Sequence, residues 1–238
     1  MDYRDYQAGA SQDHFWFKAK PQFIRTLLEK IPQQSSQNIL DIGAGTGEDV
    51  ATLARFGKIY AVDIDQQALD MIPDSLVVEK KQADACGLPY DNATFDVVVA
   101  FDVLEHVEHD QKMVNEIFRV LKPGGHFVFT VPAYNMLFSA HDRELLHFRR
   151  YTKSSAHKLF KKFTKLDAGY WFFLLFIPAA FKRLMSKNKP TSGMTMLPAG
   201  LNSFCFSLLR FENWLLSKGL HFPCGLSVYG IYQKKTDV

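Results

Sequence analysis

Cysteine is scarce in this chain: Cys86, Cys205 and Cys224 are the only three in 238 residues, and no two stand in a Cys-x-x-Cys pair. That excludes a disulfide framework and a cysteine-ligated zinc site, and it fits a reducing compartment. No apolar run reaches the ~20 residues that cross a bilayer. The first residues, Met1-Asp2-Tyr3-Arg4-Asp5, begin acidic, and no apolar run follows before His14, so no secretory leader is expected. The expected location is cytoplasmic. Internal repeats and low-complexity tracts are missing too, and the length suits one large α/β core. Acidic side chains become rare in the second half. Residues 1–119 hold 20 Asp/Glu against 11 Lys/Arg, whereas residues 120–238 hold 5 against 17, so a net +3 conceals −9 followed by +12. Acidic helix caps explain part of the first value. The second implies an anionic counterpart, either a phosphorylated substrate or a membrane surface.

What is present centres on residues 39–47, Ile-Leu-Asp-Ile-Gly-Ala-Gly-Thr-Gly. A short apolar run at 38–42 suits a buried parallel strand, and alternate glycines then allow a sharp turn and close approach of a ligand to the backbone. The helix that follows, over 49–56, would face its first N–H groups toward that ligand. A second strand at 58–62 ends in Asp63, about 20 residues past Gly43, where a carboxylate can accept both hydroxyls of an adenosine ribose. The dinucleotide fingerprint is Gly-x-Gly-x-x-Gly. Here Glu48 stands where its third glycine would be, and a carboxylate there repels a pyrophosphate but suits the ammonium and sulfonium of S-adenosylmethionine.

Leu40-Asp41-Ile42-Gly43-Ala44-Gly45-Thr46-Gly47 resembles motif I of the class I, Rossmann-like S-adenosylmethionine-dependent methyltransferases, and Ala61-Val62-Asp63-Ile64-Asp65 resembles their second motif. Gln82-Ala83-Asp84-Ala85, Phe95-Asp96-Val97-Val98 and Leu121-Lys122-Pro123-Gly124-Gly125 resemble their adenine-side loop, fourth strand and the turn before strand five. The resemblance spans 39–132. It implies a doubly wound, mostly parallel seven-stranded α/β sheet with helices on both faces and a helical insertion before the last strand. It also implies S-adenosylmethionine as cofactor, held by Asp41, Gly43, Ala44, Gly45, Gly47, Asp63, Ile64, Asp84, Ala85, Phe101 and Asp102.

Along the chain, Phe15, Ala19, Phe23, Leu27 and Ile31 mark one face of a helix over 12–31. Its aromatic start is either a lid across the cofactor mouth, using Trp16 or Phe17 as the resemblance implies, or a staple onto the sheet. A helix over 66–72, capped by Asp65, precedes strand three at 75–79. Strand four at 95–100 delivers residues 101–107 to the carboxyl edge of the sheet, where open α/β sheets bind ligands. No Asn/Asp-Pro-Pro-Tyr/Phe motif stands there, which argues against nucleobase amines and side-chain amides as acceptors, and no nucleic-acid partner is expected. His106 and His109 lie one helical turn apart, but no further ligands complete a set, so no metal is expected.

A helix over 111–121 and strand five at 126–131 lead into a loop containing Tyr134, His141-Asp142 and His147-Phe148-Arg149-Arg150-Tyr151. This block resembles that of a bacterial methyltransferase subgroup found with cell-surface sugar and lipid biosynthesis genes. Thr152, Ser154 or Ser155 caps a helix reaching 163, strand six covers 164–171 and the last strand covers 226–233. The domain layout is therefore a single unit, with an N-terminal helix or lid (1–36), a cofactor-binding core (37–171), a helical insertion (172–224) and a last strand with tail (225–238). The reading is methyl transfer, as O-methylation of a small-molecule, sugar or lipid-linked acceptor. His141 is the expected base with Asp142 orienting it, His147 is second, and Tyr134, Arg149, Arg150 and Tyr151 bind the acceptor. A nicotinamide-dependent oxidoreductase and a catalytically silent binding module are the rivals. The apolar run 170–181, the basic Lys182, Arg183, Lys187 and Lys189, and the stripe Leu201, Phe204, Leu208, Phe211 and Leu215 point to peripheral membrane contact through 170–220.

Overall fold

Alternation along the central strands sorts the apolar side chains onto two faces. Ile39, Val97 and Val99 join one core, while Leu40, Val98 and Ala100 join the other. A strand buried on both faces must be apolar throughout, which is why β1 (Asn38–Ile42) and β4 (Phe95–Phe101) are near-continuous apolar runs. The computed structural model describes residues 13–34, 36–185 and 197–236. Met1–Asp5, Lys187, Lys189 and the stretch 188–193 lie outside the described residues.

The seven strands run in the order β3-β2-β1-β4-β5-β7-β6. The others are β2 (Lys58–Asp63), β3 (Glu79–Gln82), β5 (Leu121–Pro132), β6 (Phe163–Trp171) and β7 (Ser227–Lys234). The first five pair in parallel, and β7 lies antiparallel between β5 and β6. Strand order reverses between β1 and β4. The crevice at such a switch point is where doubly wound sheets bind ligands.

On one face lie α1 (Phe15–Leu28), α2 (Val50–Leu53), α3 (Gln66–Asp70) and the last helix, whose apolar residues share a core with Phe23, Leu27, Leu53 and Leu69. On the other lie α4 (Asp110–Val120) and α6 (Lys153–Leu159), contributing Met113, Ile117 and Ala156. Between them in sequence, α5 (Ala140–Glu144) sits in the loop after β5; α7 (Phe176–Met185) and α8 (Ala199–Ser217) form the insertion. The expected fold class is present in full.

One local expectation shifts and two hold. Strand three lies at 79–82, not 75–79, because β3 is a sheet edge: its Glu-Lys-Lys-Gln is half-solvated, and the apolar stretch before it makes a 3₁₀ turn at Asp74–Leu76. Asp65 does cap α3, accepting from the N–H groups of Gln67 and Ala68. Thr152 caps α6, with the Ser155 hydroxyl accepting back from the Thr152 N–H.

The stripe read from the sequence as a membrane contact lies on the outer side of α8, with Leu208 and Leu215 half-buried. Leu201, Phe204 and Phe211 are exposed, while Cys205, Leu209, Glu212, Asn213 and Leu216 are buried. Two polar side chains on the inner face have defined work there. Glu212 accepts from the N–H groups of Phe173 and Leu174 (2.9 and 3.0 Å), and Asn213 accepts from the Trp171 indole (2.9 Å) while donating to the Ala19 carbonyl (3.1 Å). Satisfied buried polar groups fix one packing of α8 over another, so these hydrogen bonds act together with Cys205, Leu209 and Leu216 to set its inner face.

Candidate functional site

The turn after β1 needs glycine for two reasons. Gly43 has φ +73°, and a Cβ there would come 2.4 Å from Cγ2 of Val103; Gly47 has φ +83°, and its Cβ would come 2.9 Å from Ile72. Asp63 braces this turn, accepting from the Gly45 N–H (2.8 Å) through one oxygen and the Asp65 N–H (2.9 Å) through the other. Asp84 forms a similar local bracket, accepting from the Cys86 N–H at 2.8 Å. Gly43, Asp63, Ile64, Asp84 and Ala85 line one cleft of about 350 Å³, together with Val103, His106, His109 and Phe148. Ala44, Gly45 and Gly47 form the turn beside it.

Asp41 and Phe101 lie beneath the cleft instead of lining it. Burial and the nearby Asp49 carboxylate push the Asp41 carboxyl well above its ordinary range. Lys20, reaching down from α1, is buried against Asp49 at 2.7 Å and stands over the rings of Trp16 and Phe101. Burial alone would lower its pKa, but Asp49 and Asp102 raise it, so the ammonium stays charged under the glycine turn.

A second cavity, of about 210 Å³, opens on the other side of the β4 edge. The start of α1 gives His14, Phe15 and Trp16, β4 and its following turn give Asp102, Glu105 and His106, and the loop after β5 gives His141, His147 and Arg150. Phe172 and, from α7, Arg183 complete that wall. Trp16 thus lines this second cavity, while Phe23 of the same helix stacks on Trp171 at 4.2 Å as a staple onto the sheet. Burial and Lys182 lower the His14 pKa.

Asp142 is the hub of the loop and is fully buried. It accepts from the Ser139 N–H (2.8 Å) and hydroxyl (3.0 Å), the Arg150 Nε (2.7 Å) and the Arg183 guanidinium (3.4 Å), and it pairs with the His147 Nδ1 (3.1 Å). Burial would raise its pKa, but His147, Arg150 and Arg183 hold the carboxyl far below the usual range. The imidazole that Asp142 orients is therefore His147, not His141 as the adjacency in sequence suggested.

The expected acceptor residues divide. Arg150 lines the cavity, whereas Arg149 reaches away to Asp110 (2.9 Å) and the Glu108 carbonyl (2.6 Å). Tyr151 is buried, donating to the Leu104 carbonyl (3.2 Å) and Asp110 (3.0 Å), and Tyr134 stacks on Tyr170 at 5.4 Å. These three hold the loop in place and are not among the lining residues. Non-glycine residues with positive φ gather here: Asp102, Tyr134, Leu146 and Phe172 lie between +57° and +71°. Each such residue costs roughly 1–2 kcal/mol, a strain that surrounding structure must hold in place. At Asp102 the clamp is Thr130, whose carbonyl accepts the Asp102 N–H and whose hydroxyl donates to its carboxylate.

Sequence reasoning missed Glu105, His14, Lys20 and Arg183. Glu105 left one signal: a carboxylate inside the apolar Val-Leu-Glu-His-Val is set for burial. Burial and Asp102 push its pKa well up. One donor atom each from Glu105, His106 and His147 lie within 4.8 Å of one another. The sequence paired His106 with His109; both line the first cleft, but the donor cluster joins His106 to Glu105 and His147.

A methyltransferase-domain family model matches residues 40–129. The chain is 34% identical over 125 residues to the ubiquinone/menaquinone biosynthesis C-methyltransferase UbiE of Cronobacter sakazakii, an alignment covering 47% of this chain and 50% of the relative. It thus spans about half the length of the curated relatives it matches. Among solved structures, phosphoethanolamine N-methyltransferase 2 of Haemonchus contortus with S-adenosyl-L-methionine superposes with a TM-score of 0.60 at 19% identity, covering 90% of this chain and 52% of that one. The [4+2]-cyclase SpnF superposes at 0.61 with 19% identity, covering 91% and 82%. The fold is that of the class I methyltransferases.

Proposed function

We propose that this chain is an S-adenosylmethionine-dependent methyltransferase that methylates a hydroxyl of a small-molecule, sugar or lipid-linked acceptor. The observation that carries this reading is His106. It lines both the glycine-turn cleft and the imidazole-rich cavity, so a donor in the first and an acceptor in the second meet at the end of β4. In this reading Asp63 and Asp84, on the first cleft, take the ribose and the adenine, and the acidic lining that they form with Glu108 suits a cationic donor better than a pyrophosphate. That disfavours the nicotinamide alternative.

Methyl transfer from a sulfonium is an in-line displacement at an already activated carbon. Protein residues mainly align the partners, which is worth up to ~7–11 kcal/mol. The acceptor oxygen must also lose its proton, and a placed imidazole contributes about 10²- to 10⁴-fold. His141 and His147 both line the acceptor cavity. Trp16, Phe15 and Phe172 form its apolar wall, and Arg150 and Arg183 give it positive charge. An acceptor with an apolar body and an anionic group fits that combination.

The test is tritiated methyl transfer into fractionated lipid and sugar extracts. Label in a fraction identifies the acceptor class; binding of S-adenosylmethionine with no label in any extract supports the silent-module alternative, which SpnF keeps open as a cyclase on this fold. His141→Ala should depress turnover and leave cofactor affinity unchanged, because a base acts in the transition state. A second reading, methylation at ring carbon, draws on UbiE and on the aromatic wall, which suits a planar acceptor. Hydriodic acid cleaves an O-methyl product and leaves a C-methyl product intact.

A further inference from the structure

We propose that Glu105, His106 and His147 form a binding site for one divalent transition-metal ion at the junction of the two cavities. Their donor atoms lie within 4.8 Å of one another. Ligands about 2.1 Å from a tetrahedral ion stand about 3.4 Å apart, so the three heads close by an ångström or so around it. Two imidazoles and one carboxylate select zinc, cobalt, manganese or ferrous iron over magnesium, which prefers oxygen alone.

Two independent observations point to a ligand here. Glu105 is 1% exposed, and its Oε2 has no hydrogen-bond partner among the described residues. A buried carboxylate oxygen left unpaired is costly, and coordination is one of the few ways to satisfy it. His147, meanwhile, is already arranged as metal-binding histidines are. Its Nδ1 faces the ionised Asp142 at 3.1 Å, which must be met by a donor, so the proton sits on Nδ1 and the Nε2 lone pair is left for a ligand. The His106 ring stands edge-on to it, with centroids 4.4 Å apart.

The role follows from the position, and this part rests on the methyltransferase reading. Three protein ligands leave a coordination position toward the acceptor cavity, where Asp102 also stands. An acceptor hydroxyl bound there becomes more acidic, as metal-bound water does. Its proton passes to His141, since the His147 nitrogen is committed to the ion. The O–CH₃ bond then forms as the S–CH₃ bond of the sulfonium breaks, releasing S-adenosylhomocysteine with no change in the oxidation state of the metal.

The experiment uses the whole chain, stripped with a chelator and titrated with Co²⁺ as a visible-absorption probe and with Zn²⁺ by calorimetry. One equivalent should bind, with ligand-field bands whose intensity reports a low-coordinate N/O site. Glu105→Gln and His147→Ala should each weaken binding by more than 100-fold, whereas His109→Ala should leave it unchanged. Cooperative melting of the metal-free variants, with S-adenosylmethionine affinity near the parent's, establishes that they fold even where the loss of His147 from Asp142 lowers the midpoint. Absence of stoichiometric uptake overturns the proposal, as does uptake that survives both substitutions. Because metal uptake is read without donor or acceptor, and donor binding is read without metal, failure of the metal site and failure of the methyltransferase reading are distinguishable.

Discussion

Both oxygens of Asp63 are engaged by backbone N–H groups, one from Gly45 and one from Asp65. A carboxylate offers about four lone-pair positions, so two remain for ribose hydroxyls. The residue thus shapes the glycine turn as well as facing the ligand. Asp63→Ala should weaken S-adenosylmethionine binding by ~1.5–3 kcal/mol, the range for a hydrogen bond to a charged group, as read by calorimetry. Unchanged affinity would place the cofactor elsewhere. That Gly43, Asp63 and Asp84 meet at one cleft was legible in the sequence, because a glycine turn and the acids that follow successive strands are set by short-range spacing. The Asp142–His147 pair was misread, and the approach of Glu105 to His147 was not seen at all. The first hides behind the adjacency of His141 and Asp142, and the second joins residues about forty positions apart that no local period connects.

Among the elements, α1 is tied to the sheet at its far end by an ion pair that can be measured separately from catalysis. Lys30, just beyond α1, donates to Asp167 of β6 at 2.6 Å, and His221, before β7, meets the same carboxylate at 2.6 Å. Burial would raise the Asp167 pKa, but these two partners hold it below its ordinary value of 3.8. A depressed carboxylate stabilises the fold fully above that ordinary value and loses its contribution as pH falls through the folded one. Asp167→Asn should therefore cost about 1–2 kcal/mol at pH 7, discounted for the partial exposure of both partners. The gap to the parent should narrow below about pH 4 in denaturant titrations, and a gap constant with pH would refute the linkage. Element boundaries were legible where capping chemistry is local, as at Asp65 and Thr152. They failed at β3, where an edge strand carries no apolar signature, while on α8 the buried contacts of Glu212 and Asn213 join distant parts of the chain and left no local signal.

For the molecule as a whole, the outward stripe of α8 adjoins an insertion that is itself apolar and basic. Ile177, Phe181 and Met185 of α7 are 78, 66 and 70% exposed, and Phe204, Phe211 and Trp214 of α8 are at least half exposed. No helix among the described residues is long and apolar enough to cross a membrane. A peripheral contact, with Arg183 linking α7 to the acceptor cavity, would bring a lipid-linked acceptor to the site. Purified protein should sediment with anionic vesicles and not with neutral ones, and salt should release it. Absence from both pellets would leave the two helices as a cap over the cavity. The placement of β7 between β5 and β6 carries a different kind of consequence, one of timing. A nascent chain emerging from the ribosome can pair β1 to β5 as they appear, forming the glycine turn and all of the first cleft except Phe148, which follows shortly after. β6 then waits without a neighbour until β7 arrives to join it to β5, bringing Leu226 and Ser227 to the second cavity. Donor-binding architecture can therefore mature before the acceptor wall does, and a stalled or truncated product would hold the first without the second.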